Sequence, residues 1–181
     1  MKYYSYYEFP VCKVGIAEAD GCIVHVFFAD AKEEGAANLH KTTKLLTGIS
    51  EKSASVDNPF GDFELKESAL IKKAAKELKE YFAGKRREFD LPLAFTGTDF
   101  QKKVWSALLE IPYGETRAYG QIAADIGNPK GCRAVGLANN RNPIAIICPC
   151  HRVIGADGAL VGFGGGLEVK KFLLDLEKRA L

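Results

Sequence analysis

Apolar positions crowd residues 11–17 and 22–28, two strand-like stretches joined through Glu18-Ala19-Asp20-Gly21. An Asp-Gly pair between two such runs is a strong short-range hairpin signal, because both residues tolerate the positive φ of a tight turn. Periodicity then changes. Leu70, Ile71, Ala74, Leu78 and Phe82 fall on one stripe of a helix starting at Glu67 and stopping at Gly84. A shorter helix is expected over residues 36–46, and the polar stretch 51–62 reads as loop. Asp90-Leu91-Pro92-Leu93 has the composition of a connection between two halves.

Beyond that connection the pattern is mostly helical. Thr98 and Gln101 have the spacing of a capping box, and the helix they open would bury Phe100, Val104, Trp105 and Leu108. Two short helices follow. The first carries Tyr119, Ile122, Ala123 and Ile126 and closes at Gly127; the second is expected to take Asn128 as its cap and Pro129 as its first residue. Joined through Gly127-Asn128-Pro129, they have the form of a helix-turn-helix. A last helix over residues 168–180 would bury Val169, Phe172, Leu173, Leu176 and Ala180.

Composition narrows the class without naming it. The chain has 181 residues, 47% hydrophobic and 27% charged, ordinary values for a globular protein. No run approaches the about 18 apolar residues of a membrane span, and the first residues lack a signal-peptide pattern. Five cysteines, an odd number without a dense framework, fit a reducing compartment better than secretion. The formal charge is only +2, but residues 93–181 hold 11 Lys and Arg against 8 Asp and Glu. That bias permits a phosphate-contacting C-terminal half.

Candidate chemistry concentrates in Ile147-Cys148-Pro149-Cys150-His151-Arg152-Val153. Pro149 donates no ladder hydrogen bond, so a buried strand is expected to break there and present Cys150 and His151 at its end. A thiol reacts as thiolate, and adjacent basic groups make that form accessible, so Cys150 is the candidate nucleophile. Glu177 lies among Leu173, Leu174 and Leu181 at helical spacing and needs a polar partner, for which His151 is the candidate. The second short helix is thin: Gly131, Cys132, Ala134, Gly136 and Ala138 are all small, and Arg133 projects alone. A glycine inside a helix costs about 1 kcal/mol relative to Ala. Such a helix suits either close packing in a core or entry into a minor groove only about 6 Å wide.

In combination these residues resemble the O6-alkylguanine-DNA alkyltransferases, or methylated-DNA–protein-cysteine methyltransferases. Pro149-Cys150-His151-Arg152-Val153 matches that family's active-site signature. The likeness extends in order through Ile111-Pro112-Tyr113-Gly114-Glu115-Thr116, Tyr119-Gly120, Gly127-Asn128-Pro129, Arg133-Ala134-Val135-Gly136, Asn142-Pro143 and the loop Gly162-Phe163-Gly164-Gly165-Gly166. It implies an α/β protein in two domains. Residues 1–92 would form a small RNase H-like α/β domain; residues 93–181 would form a mostly helical, winged-helix-like domain holding the helix-turn-helix.

The resemblance also implies roles. Cys150 would take the alkyl group from O6-alkylguanine, with O4-alkylthymine as a further candidate substrate, and keep it, acting once. His151, Glu177 and a water would deprotonate the thiol, and Tyr119 would donate to the departing base. Gly131, Cys132, Arg133 and Ala134 would meet DNA from the minor groove, Arg133 filling the place of a flipped nucleotide. Asn142, Val153, Phe163, Gly164 and Gly165 would line the base pocket. No metal or cofactor is called for by a displacement at saturated carbon. The expected partner is alkylated double-stranded DNA, with no membrane, and the protein would act as a monomer in the cytoplasm, near the nucleoid, or in a nucleus.

Departures from the common family pattern are specific. Gly164 stands where many relatives carry Ser, and Phe163 replaces Tyr; Cys148 replaces an aliphatic residue. Other readings of the same residues are weaker. A zinc site of Cys132, Cys148, Cys150 and His151 would need two adjacent residues to close on one tetrahedral ion. A cysteine hydrolase would need an oxyanion hole. Cys12, Cys22, His25 and His40 read as strand or surface residues. A damage sensor that keeps the lesion pocket but lacks the acceptor thiol is the nearest rival, and Cys150 argues against it.

Overall fold

The computed structural model describes residues 1–29 and 62–180. The expected helix at 36–46, the loop at 51–61 and His40 lie outside them. The N-terminal half is built on a meander of β1 (Lys2–Phe9), β2 (Cys12–Ala19) and β3 (Cys22–Phe28). Its β2–β3 turn is the Asp-Gly hairpin read from the sequence. Asp20 and Gly21 have φ of 51° and 78°, two successive left-handed residues whose twist matches the flanking strands. The strand β1, which carries four tyrosines and no strong alternation, was not anticipated; its full pairing with β2 from Lys2–Ala19 to Phe9–Cys12 holds it. A two-residue strand β4 (Glu64–Leu65) adds in parallel to β1, completing the order β3-β2-β1-β4.

Helix α1 (Ala69–Phe82) covers this sheet. Ser68 caps it by accepting from the Ile71 amide at 3.1 Å, and Gly84, at φ 69°, turns the chain away afterwards. Its buried face is Ile71, Ala74, Ala75, Glu77, Leu78, Tyr81 and Phe82, the stripe expected from the sequence with Ala75, Glu77 and Tyr81 added and Leu70 only half-buried.

Strand β3 would be an open edge, and two segments close it. The Ile23 amide donates to Pro92 O at 2.8 Å and the Ala94 amide to Ile23 O at 3.1 Å, so the connection between the halves lies along β3. Farther on, the Val26 amide donates to Pro143 O and the Ala145 amide to Val26 O, both at 2.9 Å. The segment leading to Cys150 is therefore pinned to the N-terminal sheet. One continuous apolar core, from Val14 and Ile23 to Val153 and Leu173, runs through both halves, and Tyr4, Ala17 and Phe63 form a separate smaller cluster.

The C-terminal half consists of α2 (Asp99–Leu109), α3 (Tyr119–Asp125), α4 (Cys132–Asn140) and α5 (Leu167–Arg179). Between them lie a short parallel pair, β5 (Arg117–Ala118) with β6 (Val153–Ile154), and a single 3-10 turn, Cys150–Arg152. The α2 capping box forms with both of its hydrogen bonds, and Trp105 Nε1 donates to Ala138 O at 2.9 Å, fastening α2 to α4.

Three expectations fail locally. Helix α4 begins at Cys132 with Gly131 as cap; Asn128 and Pro129 belong to the preceding turn, which the Gly131 amide closes on Asn128 O at 2.8 Å. Residues 144–148 form isolated bridges around a turn instead of a strand. Ile146 there takes φ 70°, and the Asn142 side chain, bonded to the Ile144 amide and Cys148 O, replaces ladder partners. On α5 the buried face is Val169, Lys170, Leu173, Leu174 and Glu177, while Phe172, Leu176 and Ala180 are half-buried. Two charged residues occupy the core face because each finds polar partners there.

Candidate active site

The 3-10 turn places three consecutive side chains inward. Cys150 is 5% exposed, and His151 and Glu177 are fully buried. Glu177, reaching in from α5, is the hub. His151 Nε2 lies 2.8 Å from its Oε1. Arg152 donates from Nε to Oε2 at 2.9 Å and from Nη2 to Oε1 at 3.0 Å. Tyr81 Oη donates to Oε1 at 2.6 Å, and the Gly114 amide donates to Oε2 at 3.0 Å. Arg152 Nη1 is satisfied by Ile111 O at 2.6 Å.

These contacts settle protonation. Burial works against the Glu177 carboxylate, but the His151 and Arg152 hydrogen bonds and charges outweigh it, holding the carboxyl well below its usual range. His151 is pushed below the ordinary histidine value, burial being the main cause, with Glu177 pulling upward and Arg152 and Lys170 downward. The ring is therefore neutral at pH 7. Its Nε2 carries the proton and faces the carboxylate, which leaves Nδ1 as a basic lone pair. That Nδ1 is buried with no hydrogen-bond partner among the described residues.

The Cys150 thiol is pushed up by burial, while a hydrogen bond from Asn142 and the charge of Lys170 pull it down. The resting sulfur is a thiol, because a dry site disfavours an anion more than the basic neighbours favour it. Lys170 is fully buried, with Nζ donating to Val153 O at 2.7 Å and Val161 O at 2.8 Å. Tyr119 starts α3 half-buried, and the Cys150 charge contributes to raising its hydroxyl, after burial. On the other side, the half-buried Phe163 ring meets His151 edge-on at 6.5 Å and Phe28 at 5.3 Å. Gly164 and Gly165, both half-buried, follow Phe163 in the chain.

The structure thus gathers Cys150, His151, Glu177, Tyr119, Asn142, Val153 and Phe163 in one region. Arg133, Cys132 and Ala134 are exposed on the outer face of α4, and Gly131 is half-buried at its start. Exposed Cys132 and buried Cys148, whose Sγ points to Trp105 O at 3.7 Å, do not converge with His151, and among the described residues no group of three His, Cys, Asp or Glu could hold a metal. A separate cleft of about 610 Å³ between α2 and α3, lined by Lys102, Ser106, Glu110 and Asp125 among others, does not include Cys150. Among the described residues no helix is long and apolar enough to cross a membrane.

Comparison with known proteins places this geometry. Residues 2–95 match the model of the 6-O-methylguanine DNA methyltransferase ribonuclease-like domain, and residues 99–179 that of its DNA binding domain. The chain belongs to the methylated-DNA–protein-cysteine methyltransferase family. A methyltransferase of that name from Methanosarcina acetivorans is 46% identical over 175 residues, covering 97% of each chain. Among solved structures of the family, the Mycobacterium tuberculosis OGT in complex with DNA superposes with a TM-score of 0.80 at 40% identity, over 98% of this chain and 94% of that one. The O6-methylguanine-DNA methyltransferase of Pyrococcus kodakaraensis gives 0.62 at 28% identity, over 98% and 99%.

Sequence reasoning overlooked four groups in this family's site. Arg152 was seen only as a basic neighbour. Lys170 was findable, since it stands seven residues before Glu177 and so on the same helical face. Tyr81 and the Gly114 amide carried no local signal, being 96 and 63 residues from Glu177.

Proposed function

We propose that this protein repairs DNA by direct reversal, moving an alkyl group from O6-alkylguanine in a flipped-out base to Cys150. The observation that carries this reading is the buried thiol beside a neutral imidazole whose far nitrogen is held by a carboxylate at 2.8 Å. His151 Nδ1 takes the thiol proton through one water, and Glu177 stabilises the imidazolium that forms. The sulfur lone pair attacks the alkyl carbon, the carbon–oxygen bond breaks, and its electrons stay on the base. Tyr119 donates toward the base as it leaves, and the proton lost by sulfur is matched by one gained by guanine. The thioether is not hydrolysed, so each molecule acts once. O4-alkylthymine presents the same carbon–oxygen bond and is a second substrate.

The sulfur is nearly sealed, so the alkyl carbon must arrive between Tyr119 and the Phe163-Gly164-Gly165 rim. A base inside a duplex cannot reach it, and extrusion costs a few kcal/mol. Helix α4 presents Cys132, Arg133 and Ala134 to the minor groove, where Arg133 occupies the vacated stack. Asn142 orders the turn before Cys150 through Ile144 N at 3.0 Å and Cys148 O at 2.8 Å. The protein acts as a monomer on alkylated duplex DNA. Incubation with a duplex carrying O6-methylguanine, followed by weighing the Cys150 peptide, tests the whole reading. A gain of one methyl group is expected; retained lesion binding with unchanged mass would make the protein a sensor.

A further inference from the structure

Among the described residues, the N-terminal half reaches the relay through the Tyr81 hydroxyl. Tyr81, on the buried face of α1, donates its hydroxyl to Glu177 Oε1 at 2.6 Å, and that hydroxyl oxygen lies 3.3 Å from His151 Nε2. The ring is fully buried, tilted against Phe89 at 5.5 Å and edge-on to Tyr113 at 6.1 Å, so the hydroxyl has little freedom to leave. Tyr81 and His151 thus share Oε1 with Arg152 Nη2, while Arg152 Nε and the Gly114 amide take Oε2.

We infer that Tyr81 is a positioning residue for alkyl transfer, setting the share of Glu177's charge that His151 receives and fixing the ring's orientation. This rests on the relay proposed above. A neutral donor on Oε1 draws charge from the carboxylate and lowers the basicity of the imidazole; removing it hands that charge to His151. Among the described residues, the titratable or charged groups facing the ring are Glu177 and Lys170 from α5, Arg152 and Cys150 from the turn, and Tyr81 from α1, with Tyr113 acting through Glu177. Of these, Tyr81 alone comes from the N-terminal half. The apolar core holds the halves together; this hydroxyl makes one contribute to the chemistry of the other.

The test is Tyr81→Phe, which keeps the ring and its aromatic neighbours. Single-turnover transfer to the full-length protein from an O6-methylguanine duplex is followed from pH 5 to 9, with DNA affinity measured separately. His151 must be neutral to accept the thiol proton, so transfer falls as pH drops through its pKa. Expected are unchanged DNA affinity, a transfer rate lower by about fivefold at pH 7, and an acid limb displaced upward by about half a pH unit. The 15N resonances of the His151 ring should move with it. Difluorotyrosine at position 81, a stronger donor of nearly the same volume, should displace the limb downward. Wild-type rate with an unmoved limb overturns the inference, and so does a lowered melting temperature with an unmoved limb, which is the mark of a purely structural contact. Wild-type protein that gains no methyl group would instead overturn the relay itself.

Discussion

His151 Nε2 and Glu177 Oε1 stand 2.8 Å apart with neither side chain exposed to solvent. The pair is a hydrogen bond between a neutral imidazole and a carboxylate, because burial disfavours a charged ring and Arg152 already balances the charge of Glu177. It holds the imidazole in one tautomer, with Nδ1 unpartnered among the described residues.

Stability should follow pH with a definite sign. In the unfolded chain the imidazole and carboxyl titrate near 6.5 and 4.5, and in the folded protein both are displaced downward. Below those unfolded values the unfolded chain binds more protons, so stability is fully present at neutral pH and is lost on acidification. The urea midpoint should hold steady from pH 8 to about 7, decline below about 6.5, and fall more steeply below about 4.5.

Glu177→Gln removes the hub while keeping its volume. Arg152 is then a buried cation without its counter-ion, a loss of about 3–5 kcal/mol. The melting temperature should drop, transfer should fall by at least about tenfold, and the lower part of the pH–stability curve should flatten. Calorimetry across pH checks all but the transfer rate.

Cys150→Ala should abolish transfer and leave lesion binding in place, because the thiol is absent and nothing on α4 has changed. Folding stability should stay within about 1 kcal/mol of wild type. Methyl transfer by the variant, read by mass, would remove Cys150 from the acceptor role.

Arg133→Ala should weaken binding to lesion duplexes by about tenfold, the size of one lost stacking contact of about 1–3 kcal/mol. Reaction with O6-benzylguanine as a free base, which needs no flipping, should be unaffected. Equal losses in the two assays would contradict insertion into the stack.

Gly164 and Gly165 should respond oppositely to small substitutions. A Cβ at Gly164 would meet nothing within 4 Å, so Gly164→Ser should be neutral in stability within about 0.5 kcal/mol and add a hydroxyl at the rim of the proposed pocket. Faster transfer from O6-methylguanine is expected. A Cβ at Gly165 would lie 2.9 Å from the Phe28 ring, which braces Phe163, so Gly165→Ala should cost about 1–3 kcal/mol and slow transfer. Melting temperatures and single-turnover rates of the two variants provide the check.

Much of this was legible from local pattern. The Asp20-Gly21 hairpin, the Thr98–Gln101 capping box, the α1 stripe and the small side chains of α4 are properties of neighbouring residues, and each appears where spacing puts it. Glu177 showed itself by being polar among leucines. Where the reading failed, a distant partner had won. Asn142 supplies hydrogen bonds that let residues 144–148 turn where β-branched residues suggest a strand, and the Gly131 amide on Asn128 O delays the start of α4.

The sequence alone determined which residue types stand at the centre: a thiol, an imidazole and a guanidinium in succession, with a carboxylate on the last helix. Tertiary structure decided what state each occupies. Burial makes Cys150 a thiol and His151 neutral, while tertiary packing brings Tyr81, the Gly114 amide, His151 and Arg152 together on Glu177 and keeps its carboxylate charged. The reason is physical: solvation and charge balance are sums over everything nearby in space, and spacing along the chain records only the near part of that sum.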